Sequence, residues 1–113
     1  MTAGVRTIVY PVRNLAAARA VFTELLGTPQ MDEVYYVGWN VAGQDIGLDP
    51  NGHAKGMTGP VPYWTVPDIH GSLKSLLEAG AETVQDVKDV GGGKLVASVR
   101  DPNGNPIGLI QEA

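Results

Sequence analysis

The 113-residue sequence contains no cysteine. Disulfides, thiolate metal ligands and thiol nucleophiles are therefore excluded together. A chain without thiols suits a reducing compartment, and a cytoplasmic location is expected. Positive charge is scarce. Eight Lys and Arg against twelve Asp and Glu leave a formal net charge of -4, so the basic face that nucleic acid requires is missing. No polybasic run offers itself to an anionic membrane. No apolar run approaches the roughly 20 residues that span a bilayer, and the opening stretch Met1–Arg6 lacks the apolar core of a secretion signal. Neither nucleic acid nor a membrane is thus expected as a partner. What remains is 43% hydrophobic and only 18% charged, which is enough apolar material for one packed domain and too little charge for disorder.

Within that domain the sequence repeats itself. Thr7-Ile8-Val9-Tyr10-Pro11-Val12-Arg13-Asn14-Leu15 has a counterpart 54 positions later in Val61-Pro62-Tyr63-Trp64-Thr65-Val66-Pro67-Asp68-Ile69. Each segment is a short run of β-branched and aromatic residues that reaches a valine, a polar residue suited to cap a helix, and an apolar residue. Helical spacing follows both caps. Leu15, Ala18, Val21, Phe22, Leu25 and Leu26 form one apolar stripe; Ile69, Leu73, Leu76 and Leu77 form the other. Gly27 and Gly80 stand where left-handed residues end helices.

A second match lies at an offset of 61. Gly43-Gln44-Asp45-Ile46-Gly47-Leu48 parallels Gly104-Asn105-Pro106-Ile107-Gly108-Leu109, and turn-forming residues precede each Ile-Gly-Leu strand. Further strands are expected at about 34–40 and 94–100, with shorter ones near 30–33 and 82–87. Each half then reads strand, helix, three strands. The same offset aligns Trp39 with Arg100.

Several residues invite chemistry and offer little of it. Gly91-Gly92-Gly93-Lys94 continues with Leu95 into a strand pattern, whereas a phosphate loop needs Ser or Thr opening a helix. Ser72, Ser75 and Ser98 have no nucleophile elbow around them. His53 falls in a breaker-rich connection and His70 in the first turn of a helix, both read as solvated. Asp45 and Asp49 share one face of a strand, but at about 3.3 Å per residue their Cα atoms stand about 13 Å apart, too far to chelate one ion. They are read as strand-end carboxylates facing water.

The repeated order of strand, cap, helix and glycine, closed by Asp101-Pro102-Asn103-Gly104-Asn105 before an apolar strand, resembles the glyoxalase/bleomycin-resistance/dioxygenase (vicinal oxygen chelate) superfamily over nearly the whole chain. The resemblance implies an α+β fold: two βαβββ modules form one curved, eight-stranded mixed sheet with helices outside and a cleft inside. The modules would cover about 5–50 and 61–113, joined by a linker at about 51–60. The resemblance also implies a homodimer. Metal-dependent members place ligands on the first and last strands of each module. The matching positions here are Thr7, Gly47, Val61 and Gly108, none of them a credible divalent ligand. No metal or cofactor is therefore expected.

Alternation along the strands sends Val9, Val61 and Tyr63 into the cleft. The expected ligand-binding set is Val9, Tyr35, Trp39, Gly47, Val61, Tyr63, Arg100 and Gly108. Gly108 in particular is expected to leave room for a ring against the backbone. The reading is a metal-independent protein that binds an apolar or aromatic small molecule, without an assigned catalytic residue. The competing readings are an enzyme of the same superfamily (lyase, isomerase or dioxygenase) with atypical or no metal ligands, and an interaction domain whose cleft is filled by its own side chains.

Overall fold

The computed structural model describes residues 2–113. The first half runs β1 (Gly4–Pro11), α1 (Leu15–Leu26), β2 (Met31–Glu33), β3 (Tyr36–Val41) and β4 (Gln44–Asp49). A single 3-10 turn, His53–Lys55, lies in the connection. The second half runs β5 (Val61–Thr65), α2 (Ile69–Glu78), β6 (Glu82–Asp89), β7 (Leu95–Arg100) and β8 (Pro106–Gln111). All eight strands join one curved mixed sheet in the order β2-β3-β4-β1-β5-β8-β7-β6.

The helices start where the caps require. Asn14 Oδ1 accepts from the Ala17 amide at 3.0 Å, and Asp68 Oδ1 accepts from the Gly71 amide at 3.1 Å. Each satisfies one of the amides that a helix start leaves unpaired. Gly27 ends α1 with φ at 87°, a value that costs a side chain strain but a glycine none. The β3–β4 hairpin turns on Ala42 and Gly43, both with positive φ (52° and 82°), the twist that two-residue hairpins favour.

The two halves meet along β1 and β5, which pair antiparallel. Thr7 lies opposite Tyr63 and Val9 opposite Val61. Exchanging each residue for its repeat partner turns the first pair into the second, so the ladder has twofold symmetry over Thr7–Val9 and Val61–Tyr63, up to the register shift between Val5 and Thr7. The outer pairings obey the same exchange: β1 sets Val9 against Gly47, and β5 sets Tyr63 against Gly108.

Further out, the offset changes by one. Trp39 pairs with Ile46, while Ile107, the partner of Ile46 in the repeat, pairs with Val99. Trp39 thus corresponds to Val99 and not to Arg100. The β3–β4 hairpin has a two-residue loop, whereas five residues separate β7 from β8. A one-residue slip sends a side chain to the opposite face.

Both helices cover the same face of the sheet. Under α1, Val37, Trp39 and Leu48 are buried against Tyr10, Val12, Leu15, Ala18 and Phe22. The Trp39 indole lies 5.9 Å from the Phe22 ring and donates from Nε1 to the Gly27 carbonyl at 2.7 Å. Under α2, Ile69, Ala97 and Leu109 are buried with Val66. On the opposite, concave face a third cluster gathers Val9, Val61, Tyr63 and Ile110, with Tyr36, Met57 and Val96 packed against it. The concave face therefore carries its own core, and the connection between the halves contributes to it through Met57.

Candidate functional site

Gly47 and Gly108 are the middle residues of two Ile-Gly-Leu strands, and both face the concave side. A Cβ built on Gly47 would lie 1.7 Å from the Tyr36 hydroxyl. One built on Gly108 would lie 2.5 Å from Tyr63 Cδ1 and 2.7 Å from its Cγ. Each glycine is thus roofed by a tyrosine ring of its own half. The space expected beside Gly108 for a ligand ring is taken by Tyr63. Glycine at each position leaves room for the tyrosine: the hydroxyl end of Tyr36 at Gly47 and the base of the Tyr63 ring at Gly108.

Above this floor is a cavity of about 430 Å³. Thr7, Val9 and Ile110 line it from the central strands, Met57 and Lys55 from the connection, and Lys88, Val90, Lys94 and Val96 from the β6–β7 hairpin. Asp49, at the end of β4, is 4% exposed and also reaches it. Its Oδ2 accepts from Lys55 Nζ at 2.8 Å, and its Oδ1 accepts from the Asn51 amide at 2.8 Å. The expectation that Asp49 faces water is corrected: the 3-10 turn folds back and Lys55 closes over it. Asp45 does stay exposed and accepts from the Asn40 side chain at 2.9 Å.

Tyr36 and Tyr63 are pushed up from 10.0 to about 12. Burial is the main cause and the negative charge of Asp49 the next. Both phenols are therefore neutral at neutral pH and available as hydrogen-bond donors.

The expected site residues separate into three groups. Val9 and Tyr63 line the cavity, as does Tyr35, which sits in the turn before β3 and is 57% exposed. Gly47 and Gly108 lie beneath the tyrosine rings, and Val61, 1% exposed, packs into the floor. Trp39 and Arg100 are elsewhere. Trp39 is 2% exposed on the helix side of the sheet. Arg100 is exposed at the far end of β7, where its Nε approaches Glu82 Oε2 at 3.5 Å. Tyr36, Asp49, Lys55, Met57, Lys88 and Lys94 were not expected in the site. Tyr36 was within reach of alternation, since it shares a face with Gly38 and Asn40 and opposes Trp39.

Whether a divalent metal fits is decided by donors. Thr7, Gly47, Val61 and Gly108 supply no imidazole or carboxylate, and the Tyr36 hydroxyl occupies the place where a side chain on Gly47 would begin. Among the described residues no three His, Cys, Asp or Glu side chains come together. The donor set does not fit such an ion.

Two measurements test this geometry. Gly108→Ala should destabilise the protein by about 1–3 kcal/mol in urea unfolding, because the new methyl overpacks against the base of the Tyr63 ring. In a Tyr63→Ala background the cost should vanish; equal costs in both backgrounds would contradict the contact. The phenols give a pH signature. Each keeps its proton to about 12 in the fold, against 10.0 without the environment. Their contribution to stability is whole below pH 10 and is lost as pH rises through 12. The Tyr36→Phe/Tyr63→Phe protein should therefore lose stability less steeply between pH 10 and 12 than the parent, and equal slopes would refute the burial of the two hydroxyls.

Comparison with known proteins places the fold. No curated protein sequence matches the chain. Among solved structures it is similar to a glyoxalase/bleomycin resistance protein/dioxygenase superfamily member from Vibrio splendidus 12B01, with a TM-score of 0.71 and 16% identity over 99% of this chain and 100% of that one. It is also similar to methylmalonyl-CoA epimerase from Mycobacterium tuberculosis (TM-score 0.66, 15% identity, 99% of this chain and 89% of that one). The Mn(II)-bound glyoxalase from Novosphingobium aromaticivorans matches with a TM-score of 0.71 and 15% identity over 97% of this chain and 39% of that longer one. At such identities the likeness is one of fold. Among the described residues no helix is long and apolar enough to cross a membrane. Residues 4–109 match the family itself, and with the two-module sheet and its concave cleft the chain belongs to the Glyoxalase/Bleomycin resistance protein/Dioxygenase superfamily.

Proposed function

We propose that this member works in the cytoplasm as a small-molecule-binding protein, holding a ligand with an apolar or aromatic body in its cleft without a divalent metal. The observation that carries this reading is the exchange at the module centres. Glycines stand at Gly47 and Gly108, and two neutral tyrosines lie over them beneath a cavity of about 430 Å³. The rings offer flat faces for stacking, and the hydroxyls offer donors to a ligand oxygen. Val9, Val96 and Ile110 supply apolar wall. Covering about 150 Å² of ligand would contribute about 4 kcal/mol at about 25 cal/mol per Å², before ordering costs.

Binding is favoured over turnover by the state of the cleft's acid–base groups. Asp49 is already held by Lys55 and by a backbone amide. Neither His53 nor His70 lines the cavity. A free general base is thus missing among the cleft's described residues.

A thermal-shift and tyrosine-fluorescence screen against aromatic compounds tests the reading. At least one compound should raise Tm. The Tyr36→Phe/Tyr63→Phe protein should bind a carbonyl-bearing hit about three- to tenfold more weakly, as expected for lost hydrogen bonds. Metal analysis should find far less than one divalent ion per chain, and a chelator should leave Tm unchanged. A stoichiometric, tightly held ion would overturn metal independence, and silence across a broad panel would overturn binding.

A homodimer is part of the same proposal. The sheet ends in open edges at β2 and β6, which invite pairing. Val21 and Leu25, one turn apart on α1, are 69% and 76% exposed. Light scattering should return twice the chain mass of 11.9 kDa; a single mass at micromolar concentration would reject the dimer.

A further inference from the structure

The cleft's charge has the opposite sign to the chain's. Three lysines, Lys55, Lys88 and Lys94, line the cavity against one acidic residue, Asp49, in a protein of formal net charge -4. Lys55 and Asp49 satisfy each other at 2.8 Å, which leaves the two hairpin lysines as the excess. Lys88 meets no carboxylate within ion-pair distance among the described residues. Among the described residues Lys94 has only Glu112, at 3.6 Å, and both side chains are well exposed, a pairing worth little in water.

Strand register brings these two lysines together. Lys88 is opposite Val96 and Asp89 opposite Leu95; the Val90 amide donates to the Lys94 carbonyl at 2.9 Å. Lys88, Val90, Lys94 and Val96 therefore share the cleft face of the β6–β7 hairpin, while Val87 and Leu95 pack under α2. Asp89, which separates Lys88 from Val90, is engaged with the Gly91 amide at 2.8 Å. Like charges placed diagonally across a hairpin repel one another. An anion set between them would turn that repulsion into attraction, and the low-dielectric floor of Tyr36, Tyr63 and Val96 would strengthen it.

We propose that the cleft selects an organic anion, with its apolar body on Val9, Val96 and Ile110 and its negatively charged head group between Lys88 and Lys94. This rests on the binding reading above and gives the ligand a charge that the sequence alone did not suggest.

Two naphthylamine dyes separate the charge from the body. 8-Anilinonaphthalene-1-sulfonate and N-phenyl-1-naphthylamine share one ring system and differ by the sulfonate. Titrated by fluorescence into the full chain, the sulfonate should bind about tenfold more tightly, and added salt should narrow the gap. Lys88→Gln/Lys94→Gln should weaken the sulfonate by about tenfold and leave the neutral dye within about twofold. Lys88→Arg/Lys94→Arg should restore the sulfonate, and circular dichroism should show all three proteins folded. Equal affinity of the parent for both dyes, or sulfonate binding unmoved by the glutamine pair, would overturn the charge selection while leaving cleft binding in place. Fluorescence from neither dye would instead overturn the binding reading, and the anion with it.

Discussion

The antiparallel seam between β1 and β5 governs the facing of the central strands that floor the cleft. It fixes Thr7 against Tyr63 and Val9 against Val61. Because side chains alternate along a strand, that one register decides which residues face the concave side through β4 and β8 as well. Gly47 and Gly108 inherit their facing from it, by way of Val9 and Tyr63. The helices take the other side, and their clusters close over Leu48 and Ile69, both 0% exposed. A slip of one residue along this seam would put valines on the helix side and aromatic residues such as Tyr10 and Trp64 into the cleft.

Within that frame a glycine and a tyrosine act as one unit. A strand glycine ordinarily weakens a sheet, since it has nothing to pack. Here each receives a tyrosine from its own module: the hydroxyl end of Tyr36 lies over Gly47, and the base of the Tyr63 ring lies over Gly108. The arrangement removes side-chain donors from the module centres and installs two phenols there. Burial extends the pH range over which those phenols stay protonated. The outcome is a neutral floor with two phenols beside the cleft-lining Lys88 and Lys94, in a protein that is acidic as a whole.

Much of this was legible in the sequence. The two caps, the two helical stripes and the matched Ile-Gly-Leu strands give both modules and their order, because each rests on local chemistry that the chain carries with it. The facing of β1 and β5 was equally accessible from alternation. The facing of β3 was not secured, since it depends on hairpin length. The two-residue loop at Ala42-Gly43 and the five-residue loop at Asp101–Asn105 shift the repeat by one, so Trp39 lies behind the sheet and Tyr36 in front of it. The roles of Asp49, Lys55 and Met57 depend on how residues 51–60 fold back across the concave face. A segment rich in Gly and Pro has no periodicity from which to read that path. The two cleft lysines were not legible for a related reason: Lys88 and Lys94 are unremarkable surface residues until the β6–β7 register puts them on one face.

The symmetry of the central seam has a consequence for assembly. Its central ladder, from Thr7–Tyr63 to Val9–Val61, is self-complementary: interchange the modules and equivalent positions meet again. Such an isologous contact is what two separate copies of one module would form. Residues 51–60 turn that bimolecular encounter into an intramolecular one, at an effective concentration set by the tether's reach. A chain cleaved within the tether would keep its ladder, yet its stability would come to depend on how dilute the solution is. The ten residues that read as a mere spacer thus carry a thermodynamic role: they make a two-body association independent of concentration.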